Sequence, residues 1–310
     1  MQRWFGFLLV AVGCGWLAQM HVADVHASHA FSFSVSDDAV SDDCAQHLHM
    51  GDDYRAAVRG EENRDLPNQA LTITAAHNGG IQVTNWDKPQ IAVKLCKEVL
   101  AGDEAAARRA LGAITMEIGS GRIEVRTPES DDDDISVGTL LLVKAPKGAQ
   151  LDMSAYNGGI ALTSFTGNAK ARTENGGIAL KRSSGTLNVE AQNGGISIRD
   201  CGGEVNANVQ NGGLSISLPE RWDGKGLEAH TQNGGLVIAV PQNIATGVEV
   251  AGSEHTSIIC KDNVCQNAQR TWDDDGRRIL RFGSGASQVH ATTVNGGIIV
   301  KRREQSNAEL

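Results

Sequence analysis

Seven Asn-Gly-Gly triplets begin at residues 78, 157, 175, 193, 211, 233 and 295, and the five central ones are separated by 18, 18, 18 and 22 residues. A period of this kind marks an architecture built by repetition, and it outranks local secondary-structure signals. Each central triplet leads into an apolar-x-apolar run: Ile160/Leu162, Ile178/Leu180, Ile196/Ile198, Leu214/Ile216 and Leu236/Ile238. A second alternating run precedes the next triplet, as in Leu187/Val189/Ala191, Val205/Ala207/Val209 and Leu227/Ala229/Thr231. Period-2 alternation describes strands with one buried face. Each unit therefore holds two short strands and two turns. The paired glycines are expected to supply the positive-φ conformations of a tight turn, which asparagine tolerates next best.

Two architectures use such units. One is a meander of antiparallel hairpins; the other is a coil whose equivalent strands stack in parallel on the next repeat. A meander has no reason to hold one residue type at one turn every 18 positions. A coil does, because each asparagine then stacks on its counterpart about 4.8 Å away. The reading is an all-β, single-chain β-solenoid of stacked parallel coils with a turn ladder. The ladder comprises Asn157, Gly158 and Gly159; Asn175, Gly176 and Gly177; Asn193, Gly194 and Gly195; Asn211, Gly212 and Gly213; and Asn233, Gly234 and Gly235. Glu174, Gln192, Gln210 and Gln232 form a second polar column beside it.

The flanks follow the same pattern less regularly. Leu71 to Val83 reads as an opening unit, Ile91-x-Val93-x-Leu95 as a strand, and residues 102–111 (GDEAAARRAL) as one short helix with an acidic start. Leu140 to Val143 is apolar without alternation, which implies burial on both faces. The solenoid domain is assigned to residues 68–303, with an irregular hairpin insertion at 252–283 and a disordered tail at 304–310. Residues 31–67 carry Asp37-Asp38, Asp42-Asp43 and Asp52-Asp53 with little periodicity, and are expected to be poorly ordered or to form a loose N-terminal cap.

Residues 1–30 read as a signal peptide. Arg3 precedes the apolar run Phe5 to Val12, too short for a spanning helix, and small residues place cleavage after Ala27 or Ala30. The alternative lipoprotein site at Cys14 has a poor residue at −3. No later run is long enough to cross a bilayer, so the mature chain is expected to lack a transmembrane helix and to reside in the periplasm, at the surface or outside the cell. Export permits disulfides. Of the five cysteines beyond the signal, Cys260 and Cys265 bracket a turn-forming Asp262-Asn263 and are read as a disulfide; Cys44 with Cys96 is a looser pairing that leaves Cys201 over.

Chemistry-bearing motifs are sparse. A formal charge of −9 from 28 basic and 37 acidic residues argues against a nucleic-acid surface. The NGG units lack an aspartate at calcium-roll offsets, no C-x-x-C pair exists, and Asp131 to Asp134 reads as a solvated loop. Near Cys44, His47 and His49 read as surface residues rather than as metal ligands, and Asp273 to Gly276 as a hairpin turn. His77, His230, His255 and His290 accompany no nucleophile motif. No catalytic, cofactor-binding or metal residue is assigned, and no cofactor is expected. Trp222, on the loop of the four-residue-longer repeat, either covers the flank or stands exposed to contact a sugar ring.

The string NGGIQVTNWDK, followed by a strand, an alanine-rich helix and recurring NGG-apolar-x-apolar coils, resembles the bacterial putative-adhesin β-strand-repeat family over roughly residues 68–303. That resemblance implies a β-solenoid and an envelope or surface location, and imports no catalytic residues. The expected function is a non-catalytic, adhesin-like or envelope structural role through the repeat faces, with a cell-surface or envelope polymer or protein as partner. The alternative is a polysaccharide lyase or hydrolase on a β-helix. Such a site needs acids and bases clustered on one face, whereas Glu190, Asp200 and Glu204 do not recur in one register.

Overall fold

A computed structural model describes residues 25–26, 32–33, 41–47, 56–128, 135–254, 256–266 and 268–303. The Cys14 site, Asp131 to Asp134, His49, His255 and the 304–310 tail lie outside them, as does nearly all of the signal segment. The described residues are all-β with one short helix, built as a 12-stranded and an 11-stranded mixed sheet, neither of them closed.

Alternation and turn spacing send the chain from one sheet to the other and back. Thr166–Thr173 lies in the 12-stranded sheet and Ile178–Lys181 in the other; Ser184–Asn193 returns to the first and Ile196–Arg199 to the second. Equivalent strands pair in parallel at a register of 18 residues, Ala169 opposite Leu187 and Ile178 opposite Ile196. Across the longer repeat the register becomes 22, Val205 opposite Leu227. Each sheet contains nine parallel strands among the described residues, and antiparallel strands are added only at the ends. Inward residues of the two sheets, such as Leu187, Val189, Ile196 and Ile198, are buried against one another in one continuous core.

The spatial order of the strands departs from chain order at both ends. Leu71–Thr74 and Gly79–Asn85 sit inside Arg122–Arg126 and Ser136–Ala145, next to Ala149–Ala155 and Ile160–Thr163. Ser287–Asn295 and Ile298–Arg302 are likewise inserted between the 226–240 unit and the strands Gly247–Gly252 and Ile258–Cys260. Within 252–283, Gln269–Trp272 and Arg278–Phe282 form an antiparallel hairpin on the edge of the 12-stranded sheet. Leu140 to Val143 is buried on both faces of its strand, consistent with the absence of alternation there.

The segment 31–67 is not poorly ordered throughout. Ala56–Leu66 is an eleven-residue edge strand paired antiparallel with Ile91–Ala101 along its whole length. Its half-buried positions are Ala56, Val58, Gly60, Glu62 and Leu66, of which only Val58 and Leu66 are large and apolar, too few to register as apolar alternation. Gly60 leaves room for Leu111 of the helix Glu104–Ala113, 3.4 Å from where its Cβ would stand. That helix is capped by Asp103, whose carboxylate accepts from the Ala106 N–H at 2.8 Å, and it buries Ala107 and Ala110. Further upstream, Cys44 is disulfide-bonded to Cys96, and Asp42 pairs with Lys144.

Candidate functional site

The turns that join the two sheets carry the most regular polar feature of the molecule. Asn157 Nδ2 donates to Asn78 Oδ1 at 3.0 Å, Asn175 to Asn157 at 3.0 Å and Asn193 to Asn175 at 3.1 Å. The series continues from Asn211 to Asn193 at 3.0 Å, Asn233 to Asn211 at 3.0 Å and Asn295 to Asn233 at 2.9 Å. All six bonds run in one direction, so the amide dipoles align along the stack. Beside the asparagines, the middle glycines are held by proximity, and of Gly158, Gly176, Gly194, Gly212, Gly234 and Gly296 only Gly212 has a positive φ, at 153°. Gly176 and Gly194 show no left-handed φ, and a Cβ on either would overlap the carbonyl oxygen of the preceding unit's glycine. The expectation that these turns need positive φ holds at Gly212 and is corrected at Gly158, Gly176, Gly194 and Gly234, where close approach of the backbone is what requires glycine. Left-handed residues occur at the opposite turn, at Ser164, Arg182 and Asp200, with φ near 50°.

The residue before each asparagine, and the one two further back, point outward beside the 12-stranded sheet and form two parallel rows. One row is Tyr156, Glu174, Gln192, Gln210 and Gln232; the other is Ser154, Arg172, Glu190, Asn208 and His230. Between them runs a groove of about 690 Å³, floored by Ala155, Thr173, Ala191 and Val209. Arg172 bridges Asp152 at 3.1 Å and Glu190 at 3.3 Å, so its charge is matched within the sheet. His230 Nδ1 lies 2.7 Å from Thr292 Oγ1. At one end His77 stacks on Tyr156 with ring centroids 4.4 Å apart, and Tyr156 remains 41 % exposed.

The Glu174–Gln232 column is legible in the sequence, whereas the facing row and the aromatic end are not singled out there. The signal was available: His77 occupies the position before Asn78 that Tyr156 occupies before Asn157, so stacking the units brings the rings together.

Trp222 is not an exposed contact residue. It is 3 % exposed; its indole Nε1 donates to Gly203 O at 3.0 Å, and its backbone N–H donates to Thr246 Oγ1 at 2.7 Å. The longer repeat folds back and closes the flank with this ring, because an indole this large is buried readily once its N–H finds an acceptor. Cys260 and Cys265 form a disulfide, and Cys201 is a buried free thiol. Burial pushes the Cys201 thiol up to about 11, against opposing backbone hydrogen bonds at Ser183 and Arg199. Among the described residues, no three His, Cys, Asp or Glu side chains are grouped to hold a metal, and no helix is long and apolar enough to cross a membrane.

No family model matches the sequence, and no curated protein matches it. Solved structures that overlap it include a putative cell adhesion protein from Clostridium sporogenes, 10 % identical with a TM-score of 0.31, over 79 % of this chain and 100 % of that one. A putative adhesin from Parabacteroides merdae is 7 % identical with a TM-score of 0.36, over 78 % of this chain and 96 % of that one. A putative lipid binding protein from Parabacteroides distasonis is 9 % identical with a TM-score of 0.35, over 78 % and 97 %. Overlaps this slight assign neither fold nor function.

Proposed function

We propose that this chain is an exported, non-catalytic contact protein. In this reading residues 68–303 form a two-sheet β-solenoid whose outer faces act as an adhesin-like or envelope structural surface. The observation that carries it is the in-register stacking of nine parallel strands in each sheet. At about 4.8 Å per strand that gives a rigid face roughly 40 Å long. Rigid repeat faces suit contact with extended partners because little conformational entropy is lost when they bind. Two disulfides, Cys44–Cys96 and Cys260–Cys265, sit near opposite ends of the stack and fit an oxidising compartment. The Asn-Gly-Gly turn ladder is assigned a structural role, fixing the register that keeps each outward column straight.

Protease shaving of intact cells, followed by mass spectrometry, tests the location, and binding of the purified chain to intact cells and to envelope fractions tests the role. Release of peptides from residues 68–303 without lysis and saturable binding are the expected results. Protection until the envelope is opened places the contacts in the periplasm. Absence of binding to every fraction overturns the contact role, and hydrolysis or elimination products from a polysaccharide panel would make the chain an enzyme instead.

A further inference from the structure

We infer that the groove beside the asparagine ladder binds a linear neutral polysaccharide, laid along the stacking axis; this rests on the contact role proposed above and names the ligand class. The groove is lined by six successive chain layers, from Thr74 to Gln232, and is therefore about five strand spacings, roughly 24 Å, in length. A ligand that fills it must be extended, and one that uses it fully must repeat, since the walls repeat once per layer.

The walls select the chemistry. Gln192, Gln210 and Gln232 are exposed and present an amide at three consecutive layers on one side, faced by Asn208 and His230 on the other. An amide offers two donors and two acceptor lone pairs, which suits hydroxyl groups that both give and accept hydrogen bonds. Arg172 is the one Lys or Arg among the described residues that line the groove, and it is already matched by Asp152 and Glu190, which leaves little to attract a polyanion. The floor belongs to strands whose backbone groups are paired on both sides, Ala155 with Thr173 and Thr173 with Ala191. An extended peptide therefore has no open edge to extend here, and recognition falls to side chains. At the end of the groove the partly exposed Tyr156 ring, steadied by His77, supplies a flat apolar face of the kind on which a pyranose ring packs.

The test is native affinity electrophoresis of the full mature chain in gels containing hydroxyethyl cellulose, galactomannan or soluble xylan, with titration calorimetry using cellohexaose and chitohexaose. Retardation by at least one neutral polymer is expected. Tyr156→Ala should weaken it about tenfold, and the double variant Gln192→Ala/Gln210→Ala should weaken it comparably. Both are exposed positions, and thermal melting confirms that the variants are folded. Trp272→Ala, at an exposed tryptophan on the far hairpin, should change nothing. The inference is overturned by absence of retardation in every neutral polymer, by retardation in polyanion or polycation gels only, or by equal loss in Trp272→Ala. If the chain binds cells but none of these polymers, the contact role stands and the groove assignment alone fails.

Discussion

Gly194 lies so close over the backbone of Gly176 that a side-chain carbon on Gly194 would overlap the Gly176 carbonyl oxygen. The same overlap recurs for Gly212 over Gly194 and for Gly234 over Gly212. The third glycine is less crowded: a Cβ on Gly195 would stand 3.1 Å from Gly213 O, and one on Gly213 would stand 3.8 Å from Gly235 O. Gly194→Ala should therefore cost about 2–4 kcal/mol, since it forces backbone movement in two layers. Gly213→Ala should cost less than about 1 kcal/mol. Urea unfolding of the two variants separates them, and equal costs would mean that the turns are not stacked at this distance.

Asn193 both donates to Asn175 and accepts from Asn211, whereas Asn78 only accepts, from Asn157. If each exposed ladder bond contributes about 0.5–1 kcal/mol, Asn193→Ala should cost roughly twice what Asn78→Ala does. The ratio is the informative quantity, because the absolute costs also contain the changed turn propensity. Chemical denaturation of both single variants measures it, and a ratio near one would mean that the ladder adds nothing beyond each local turn.

Where the 18-residue period holds, parallel pairing was legible in the sequence, because each position recurs at its own register: Ile160, Ile178, Ile196, Leu214 and Leu236 sit in one column. Where it lapses, order was hidden. Nothing local to Ile298 says that its strand will be inserted between Leu236–Val240 and Ile258–Cys260, since that choice depends on which edge is open when the segment docks. The Ala56–Leu66 strand was masked by Gly60 and Glu62 at half-buried positions. Of the groove, one wall was legible as a polar column. The other has no repeating residue type, and Arg172 and Glu190 come together only once the parallel strands are stacked.

Arg182 sits at φ 49° in the turn opposite the asparagines, between Ser164 and Asp200 at equivalent φ. A β-branched residue is poorly accommodated there, and Arg182→Val should cost about 1–2 kcal/mol. Arg182→Gly relieves the same constraint and should be neutral or slightly stabilising, the gain offset in part by a more flexible unfolded chain. Thermal melts of the pair give the sign, and a stabilising valine would contradict the left-handed turn.

Cys201 is buried, with its Sγ donating to Arg199 O at 3.3 Å, and its folded value of about 11 lies above the ordinary 9.0. Above pH 9 the unfolded thiol loses its proton while the folded one keeps it, so folding becomes less favourable as pH rises. The contribution is fully present below pH 9 and lost progressively towards pH 11, about 2–3 kcal/mol in all. Unfolding midpoints of the parent and of Cys201→Ala, compared at pH 8 and pH 10.5, isolate it. The parent should lose more stability across that interval than the variant, and parallel losses would remove Cys201 as the cause.

Arg303 ties the inserted C-terminal unit to layers that precede it by up to 103 residues in the chain. Its guanidinium forks onto Asp200, with Nη2 to Oδ2 at 2.7 Å and Nη1 to Oδ1, and Nη1 also reaches Leu218 O at 3.1 Å. The Arg303 backbone N–H donates to Val240 O at 2.7 Å. The two side chains are 31 % and 27 % exposed, so solvent screens the pair only in part. Arg303→Ala should cost about 1–3 kcal/mol, and Arg303→Lys should recover little of it, because an ammonium cannot reproduce the two-pronged contact. If the clamp is what holds the inserted unit, the loss should concentrate there. Amide exchange at Ile298–Arg302 should accelerate more than at Ile178–Lys181, which lies deep in the stack. Uniform acceleration across both strands would make Arg303 a contributor to global stability alone, and unchanged exchange with unchanged stability would mean that the ion pair is worth no more than an exposed one.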